Sequence, residues 1–168
     1  MGFLRKKKPS SFGLSLFDLV MDRRACPQVA GSVNADEVPP VPEALAALAQ
    51  LNDRFDGRVH LLDHMSPANH ATNMNWLRRH GFFAPDALRE GQVHFCTNPI
   101  QLHGWCFFLD ITHFADTRLS DLKLLPKDIV SCRYLYLGGE EPVATRPHPG
   151  ILPVQDWDDL LHDVAERV

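Results

Sequence analysis

The sequence of 168 residues contains no apolar stretch near the roughly 20 residues that a membrane-spanning helix requires. It also lacks the phosphate-binding loop G-x-x-x-x-G-K-[ST], the dinucleotide fingerprint G-x-G-x-x-G, the nucleophile elbow G-x-S-x-G and the zinc motif H-E-x-x-H. These absences exclude a transmembrane span, and they give no support for the enzyme classes that these motifs mark. What remains is a globular composition, 45% hydrophobic and 23% charged.

Cysteine is scarce and its four occurrences include no C-x-x-C pair. Three of the four lie in apolar, strand-like segments, where a thiol behaves as a small hydrophobic side chain. The basic start, Met1 to Lys8, is followed by Pro9 and two serines rather than by the apolar segment of a secretory signal. We therefore expect reduced thiols, a cytoplasmic location and no cofactor.

Charge is unevenly distributed along the chain. Residues 1–24 carry six basic and two acidic groups, a net +4, and the remainder carries eleven basic and nineteen acidic groups, a net −8. An acidic body would repel nucleic acid, so we expect no nucleic-acid partner. It suits a basic protein partner instead, although the same charge also keeps a small domain soluble.

Prolines at positions 27, 39, 40 and 42 divide the chain into two parts. We predict that residues 1–40 form a basic N-terminal arm and a proline-rich connector, and that 41–168 form a single domain. Within the arm, Leu14, Phe17, Val20 and Met21 recur at helical spacing. Such a short basic helix in residues 3–24 would contact a membrane surface only weakly.

Three segments of the body predict helices. Leu45, Leu48, Leu51 and Phe55 form an apolar stripe after Pro42. Ser66 and Pro67 form a helix start, and Gly81 is a suitable stop. A third stripe begins at Trp157, with aspartates in its first turn.

In the second half of the chain, successive side chains follow the two-residue period that is typical of strands. The predicted strands cover 92–97, 105–112 and 129–137, with a further short strand at 58–62. The prolines between Glu141 and Pro153 predict a loop. Without regular alternation of strands and helices, this order predicts an α+β fold, with a mainly antiparallel sheet of about four strands against helices and an N-terminal arm.

Two histidine-containing groups are weak metal candidates. The pattern His60-Leu-Leu-Asp63-His64 places two imidazoles four residues apart with a carboxylate between them. His94 and Cys96 share a strand face, with another His and Cys after the following turn. The first group formally matches the zinc pattern H-x-x-E-H, but Asp63 replaces the glutamate and a helix start follows at once. The second group has no recognised ligand spacing, so ordinary polar or half-buried positions are the simpler interpretation of both.

With no catalytic residue indicated, the charge pattern leads to a hypothesis of a non-enzymatic binding protein, of the kind represented by bacterial toxin-neutralising immunity proteins. Acidic side chains would steer the basic partner: Glu140, Glu141, Asp156, Asp158 and Asp159. The first alternative is a small metal-dependent hydrolase that uses the His/Asp or His/Cys group. The second is a membrane-surface adaptor that acts through the basic arm.

Overall fold

The computed structural model describes residues 9–26, 37–138 and 148–168. These residues form one six-stranded sheet in the order β3-β2-β1-β4-β5-β6, and every neighbouring pair of strands is parallel. The strands are β1 (Phe12–Leu14), β2 (Val59–His64), β3 (Val93–Cys96), β4 (His113–Asp116), β5 (Cys132–Tyr136) and β6 (Leu152–Val154). The helices are α1 (Ala44–Arg54), α2 (His70–Arg79), α3 (Pro99–Phe108), α4 (Leu119–Leu124) and α5 (Trp157–Arg167).

The sheet is covered on both faces, which produces two hydrophobic cores. One core joins Phe12 and Leu14 of β1 to buried side chains of α1, α2 and α5. The other joins Leu62 and Phe114 to buried side chains of α3 and α4. This layered arrangement is typical of parallel sheets, whose crossover helices cover both faces.

The strand order reverses direction between β1 and β4. The chain runs from β1 outwards through β2 to β3, then crosses to β4 on the other side of β1. Because the strands are parallel, all their carboxyl ends lie at one edge of the sheet. A crevice at such a reversal is the usual ligand-binding position in open α/β sheets.

The predicted fold class, α+β with a mainly antiparallel sheet of about four strands, is wrong. The main cause is the segment 105–112, which alternates in sequence but belongs largely to helix α3 and the turn after it. Pro99 occupies the first turn of α3, and the Asn98 side chain accepts a hydrogen bond from the Gln101 amide. Because α3 is apolar nearly all round, its composition resembles that of a strand.

The expected N-terminal arm is also wrong for residues 12–14. Phe12–Leu14 is the central strand, paired with β2 on one side and with β4 on the other. Its buried phenylalanine and leucine have the spacing of one strand face rather than of a helix. Residues 9–26 therefore belong to the same sheet-centred unit as the rest of the described chain.

The three predicted helices of the body are confirmed as α1, α2 and α5. The glycine stop after α2 is also present, since Gly81 has a φ of 78°. The loop predicted between Glu141 and Pro153 is wrong at its end, where Leu152 and Pro153 belong to β6, and its residues up to 147 lie outside the described residues. No helix in the described ranges has the length and hydropathy that crossing a membrane would need.

Candidate functional site at the carboxyl edge of the sheet

Five ionisable side chains converge at the carboxyl ends of β2 and β4. They come from the end of β2, from the end of β4, from the loop after it and from α4: Asp63, His64, Asp116, Arg118 and Asp121. Asp63 and Asp116 are fully buried, and Asp121 is 5% exposed. Charged groups are rarely buried so completely unless they are paired. We call these five residues the carboxylate–arginine cluster.

The guanidinium of Arg118 is the centre of the cluster. Its Nη2 donates to Asp63 Oδ1 over 2.6 Å and approaches Asp116 Oδ2 at 3.3 Å. Its Nε donates to Asp116 Oδ1 at 3.2 Å and lies 3.0 Å from Asp121 Oδ2. One planar cation thus compensates three buried carboxylates.

His64 and Asp121 form a second contact in the cluster, 2.8 Å long between Nε2 and Oδ2. An ionised carboxylate only accepts hydrogen bonds, so this contact places a proton on Nε2 of His64. The 3.2 Å contact between that nitrogen and Arg118 Nη1 is then not a hydrogen bond, because both atoms are donors. In neutral His64, Nδ1 is consequently the basic nitrogen.

The backbone after β1 completes the site from the other side. The amide of Leu16 donates to Asp63 Oδ2 over 2.8 Å, and the amide of Phe17 does so at 3.4 Å. Ser15, the residue directly after the central strand, has a buried hydroxyl oxygen that finds no hydrogen-bond partner among the described residues. A buried hydroxyl without a partner costs free energy, which makes Ser15 a candidate ligand contact.

Burial and charge shift the ionisation of the cluster. Burial raises the pKa of Asp116 to about 6, even though the charge of Arg118 acts in the opposite direction. Burial alone would lower the pKa of Arg118, but the charges of Asp116 and Asp63 outweigh it and raise that pKa. Arg118 is therefore charged at every accessible pH.

A cavity of about 230 Å³ lies at the same edge of the sheet. Its lining comes from the segment after β1 and from α2 and the turn before it: Phe17, Met21, Arg23, Val38, Asn69, Thr72 and Asn73. Phe17 links the cavity to the cluster, because its amide contacts Asp63 and its carbonyl lies 3.5 Å from the Thr117 hydroxyl. Arg23 stacks over the Phe17 ring at 4.1 Å, so the cavity wall includes a cation.

The residues of the cluster do not fit a resident divalent metal. Convergent carboxylate oxygens are the ligands on which proteins commonly hold Mg²⁺. Here the guanidinium of Arg118 already engages all three carboxylates. In the described ranges, no group of three or more His, Cys, Asp or Glu side chains is arranged to hold a metal.

The structure separates the members of the first predicted metal group. Asp63 and His64, at the carboxyl end of β2, belong to the cluster. His60 lies near the amino end of the same strand, where its ring centroid is 5.6 Å from that of His94. In the second group, His94 stacks on Trp105 and Cys96 donates to the carbonyl of Asp63 at 3.3 Å. Burial raises the pKa of Cys96 to about 11, which makes it a poor nucleophile.

The acidic residues predicted to bind a partner lie elsewhere. Glu140 and Glu141 fall outside the described residues. Asp156 is the N-cap of α5 and accepts from the Asp159 amide, and Asp159 accepts from Gln155. Asp158 stands in the same first turn. Two of these carboxylates thus stabilise a helix start, and their role with a basic partner stays a prediction.

Three residues of the cluster were missed by the sequence reasoning: Asp116, Arg118 and Asp121. The available signal was the segment Asp116-Thr-Arg118-Leu-Ser-Asp121, which follows the buried triplet 113–115 directly. Three charges at the end of an apolar segment indicate a strand terminus in a parallel sheet. The misplaced strand at 105–112 concealed that terminus.

Comparison with known proteins finds similarity only at the level of three-dimensional structure. No protein-family model and no curated protein matches the sequence. Among solved structures, the chain is similar to D,D-heptose 1,7-bisphosphate phosphatase from Burkholderia thailandensis, with a TM-score of 0.62 and 18% sequence identity. The similarity covers 93% of this chain and 98% of the phosphatase chain.

This likeness corrects the hypothesis of a non-enzymatic binding protein of the toxin-neutralising immunity class. That hypothesis depended on net charge, which affects solubility and association but does not determine fold. The described residues instead form a parallel sheet whose fold resembles that of a phosphatase, with a buried charged cluster at the carboxyl ends of its strands. The chain therefore has a Rossmann-like α/β fold, shared with that heptose bisphosphate phosphatase over nearly its whole length.

Proposed function

We propose that the protein is a hydrolase that removes phosphate from a small phosphorylated molecule at the carboxylate–arginine cluster. The observation that carries the proposal is the convergence of His64, Arg118 and three aspartates where the strand order reverses. The similarity of the fold to a phosphatase supports it. This proposal keeps the hydrolase alternative of the sequence analysis, with a different set of residues and without a resident metal.

Arg118 is the group that would bind the phosphate. Its Nη2 and Nε are engaged by carboxylates, whereas Nη1 approaches only the Nε2 of His64, which is itself a donor. The two Nη1 hydrogens are therefore available for phosphate oxygens. The side chain is 28% exposed, so this end of the guanidinium can be reached from solvent.

His64 is the group that would move the proton. Asp121 fixes the ring through Nε2, which leaves Nδ1 to accept a proton from an attacking water. The water oxygen attacks phosphorus and the ester P–O bond breaks. The departing alkoxide oxygen, on the far side of phosphorus, takes a proton from solvent and His64 releases its own proton to solvent, so the products are an alcohol and inorganic phosphate.

The cavity beside Phe17 limits the size of the organic part of the substrate. Its volume of about 230 Å³ suits a molecule no larger than a sugar phosphate. Arg23 in its wall is already paired with Asp18 over 2.7 Å, so the phosphate is assigned to Arg118 alone. Phosphorylated sugars are therefore the first substrate class to test, and the similar phosphatase is named for one of them.

The test is the release of inorganic phosphate from p-nitrophenyl phosphate and from a panel of sugar phosphates. We expect His64→Gln to lower kcat about 100-fold or more, and Arg118→Lys to lower kcat/KM by a similar factor. Arg78→Ala is a matched arginine control, because Arg78 of α2 forms an exposed pair with Glu90 in the turn before β3, and it should keep wild-type activity. Absence of turnover on the whole panel, or equal activity of the His64 variant and wild type, would contradict the proposal.

A further inference from the structure

The carboxylate–arginine cluster combines three carboxylates with one internal cation. Asp63, Asp116 and Asp121 place four oxygens within 3.3 Å of guanidinium nitrogens of Arg118. Oxygens of this type, converging from different elements, are the ligands that Mg²⁺ and Mn²⁺ prefer. Three buried carboxylates cannot remain ionised together without a cation among them.

From this geometry we propose that Arg118 is the resident cation of the cluster, in the place that a divalent metal would otherwise take. The wild-type protein consequently binds no divalent cation at this site. Removing the guanidinium turns the three carboxylates into a site for Mg²⁺ or Mn²⁺. The inference concerns the site of the proposed function, but metal binding tests it independently of phosphate release.

The position of Arg118 in the chain favours the guanidinium over a free ion. Its amide donates to Asp116 Oδ1 over 2.9 Å, so the backbone already directs the side chain back across that carboxylate. A cation attached to the chain is present at a high effective concentration and loses no translational freedom on binding. Its planar fork also forms two parallel contacts with Asp116, at 3.2 and 3.3 Å.

Each carboxylate is also held by a group other than Arg118. Asp63 accepts from the Leu16 amide at 2.8 Å, Asp116 accepts from the amide of residue 118, and Asp121 contacts His64 at 2.8 Å. The amide of residue 118 persists whatever side chain stands there. The three carboxylates should therefore stay convergent when the guanidinium is removed, which is the condition for a metal to replace it.

The experiment titrates Mn²⁺ into wild type and Arg118→Ala, following free Mn²⁺ by electron paramagnetic resonance and Tm by calorimetry. We expect no saturable binding by wild type, and one Mn²⁺ bound by the variant at least about tenfold more tightly than any binding to wild type. The Tm of the variant should rise with Mn²⁺, while that of wild type should not. Arg118→Lys keeps a cation in the site and should bind no Mn²⁺.

Two further variants connect the result to the cluster. Adding Asp116→Asn to Arg118→Ala should remove the gained binding, whereas Arg78→Ala should behave as wild type. One Mn²⁺ bound by wild type and lost in Asp116→Asn would overturn the proposal. So would an Arg118→Ala protein that is folded without binding Mn²⁺, or one that stays unfolded with and without it.

Discussion

The guanidinium of Arg118 donates to the buried carboxylate of Asp63 across 2.6 Å, joining the loop after β4 to the end of β2 over the top of the central strand. The other oxygen of Asp63 accepts from the Leu16 amide, directly after that strand. The carboxylate of Asp63 thus connects the carboxyl ends of three neighbouring parallel strands, β2, β1 and β4. Both stability and the proposed chemistry depend on this connection.

Arg118→Met should destabilise the protein by about 3–5 kcal/mol, because it leaves Asp63 and Asp116 buried without their cation. Arg118→Lys should lose less, since it retains the charge but not the planar fork. The measurement is urea denaturation at pH 7 without metal. Arg78→Met, at an exposed ion pair, is the control and should lose less than about 1 kcal/mol. Equal stability of the two methionine variants would mean that the cluster is not a paired buried site.

Asp116 should make the protein less stable as pH rises between about 4 and 6. Burial raises its folded pKa to about 6, so in this range the folded state holds a proton that the unfolded state has released. The contribution of Asp116 to the free energy of unfolding is fully present below the pKa of the unfolded state. It is lost as the pH rises through the folded-state pKa, and the loss is at most about 3 kcal/mol. Denaturation curves at several pH values should show this fall in the free energy of unfolding for wild type and not for Asp116→Asn. Asp128→Asn, at an exposed carboxylate, is the control for removal of one negative charge.

His60 should have the opposite effect in an overlapping pH range. Burial, then the charges of His94 and Arg58, lower its pKa to about 4. Between about 4 and 6.5 the unfolded state binds a proton that the folded state does not, so stability falls as the solution is acidified. Allowing for partial exposure, the loss is about 1–2 kcal/mol.

His60→Gln should remove that part of the acid destabilisation, and the check is again denaturation between pH 4 and 7. His162→Gln is the matched control, because that side chain is 76% exposed on α5. An identical pH slope in wild type and His60→Gln would show that His60 ionises freely in the folded protein.

Gly13→Ala should destabilise the central strand. A Cβ at this position would lie 2.5 Å from Cδ2 of Phe114 and 3.1 Å from Leu62, so the ring would have to move in a close-packed core. We expect a loss of about 1–3 kcal/mol, partly restored when Phe114→Leu is added. Gly104→Ala, where a Cβ meets no atom within 4 Å, should instead stabilise α3 by about 0.5–1 kcal/mol. Thermal unfolding of the three variants would separate a steric effect from a general intolerance of alanine.

The helices α1, α2 and α5 could be predicted because each has an apolar face at helical spacing and a recognisable start or stop. The central strand could not. Its three residues are buried on both faces, so they show no alternation, and Leu14 also fits a helical pattern with Phe17 and Val20. Parallel pairing itself leaves no local signal, since the partners of each strand lie far away in the chain.

The candidate site could be predicted only in part, for a similar reason. Asp63 and His64 attracted attention because they are close together in sequence. Arg118, which brings the site together, contacts Asp63 from 55 residues away. A local search for ligand spacing therefore finds His60, which the strand directs towards His94, and misses the cation that compensates the carboxylates.

The central position of β1 also affects how the chain can fold during synthesis. In chain order β1 precedes both of its partners, β2 on one side and β4 on the other, and β4 is made only after α3. Until then, the half-sheet β3-β2-β1 has an unpaired edge along Phe12–Leu14. The same delay leaves Asp63 without Arg118, because the loop that supplies the guanidinium follows β4. We therefore expect nascent chains arrested before residue 113 to depend on chaperones and to aggregate when released, whereas chains extended through α5, which completes the core on β1, become resistant to protease.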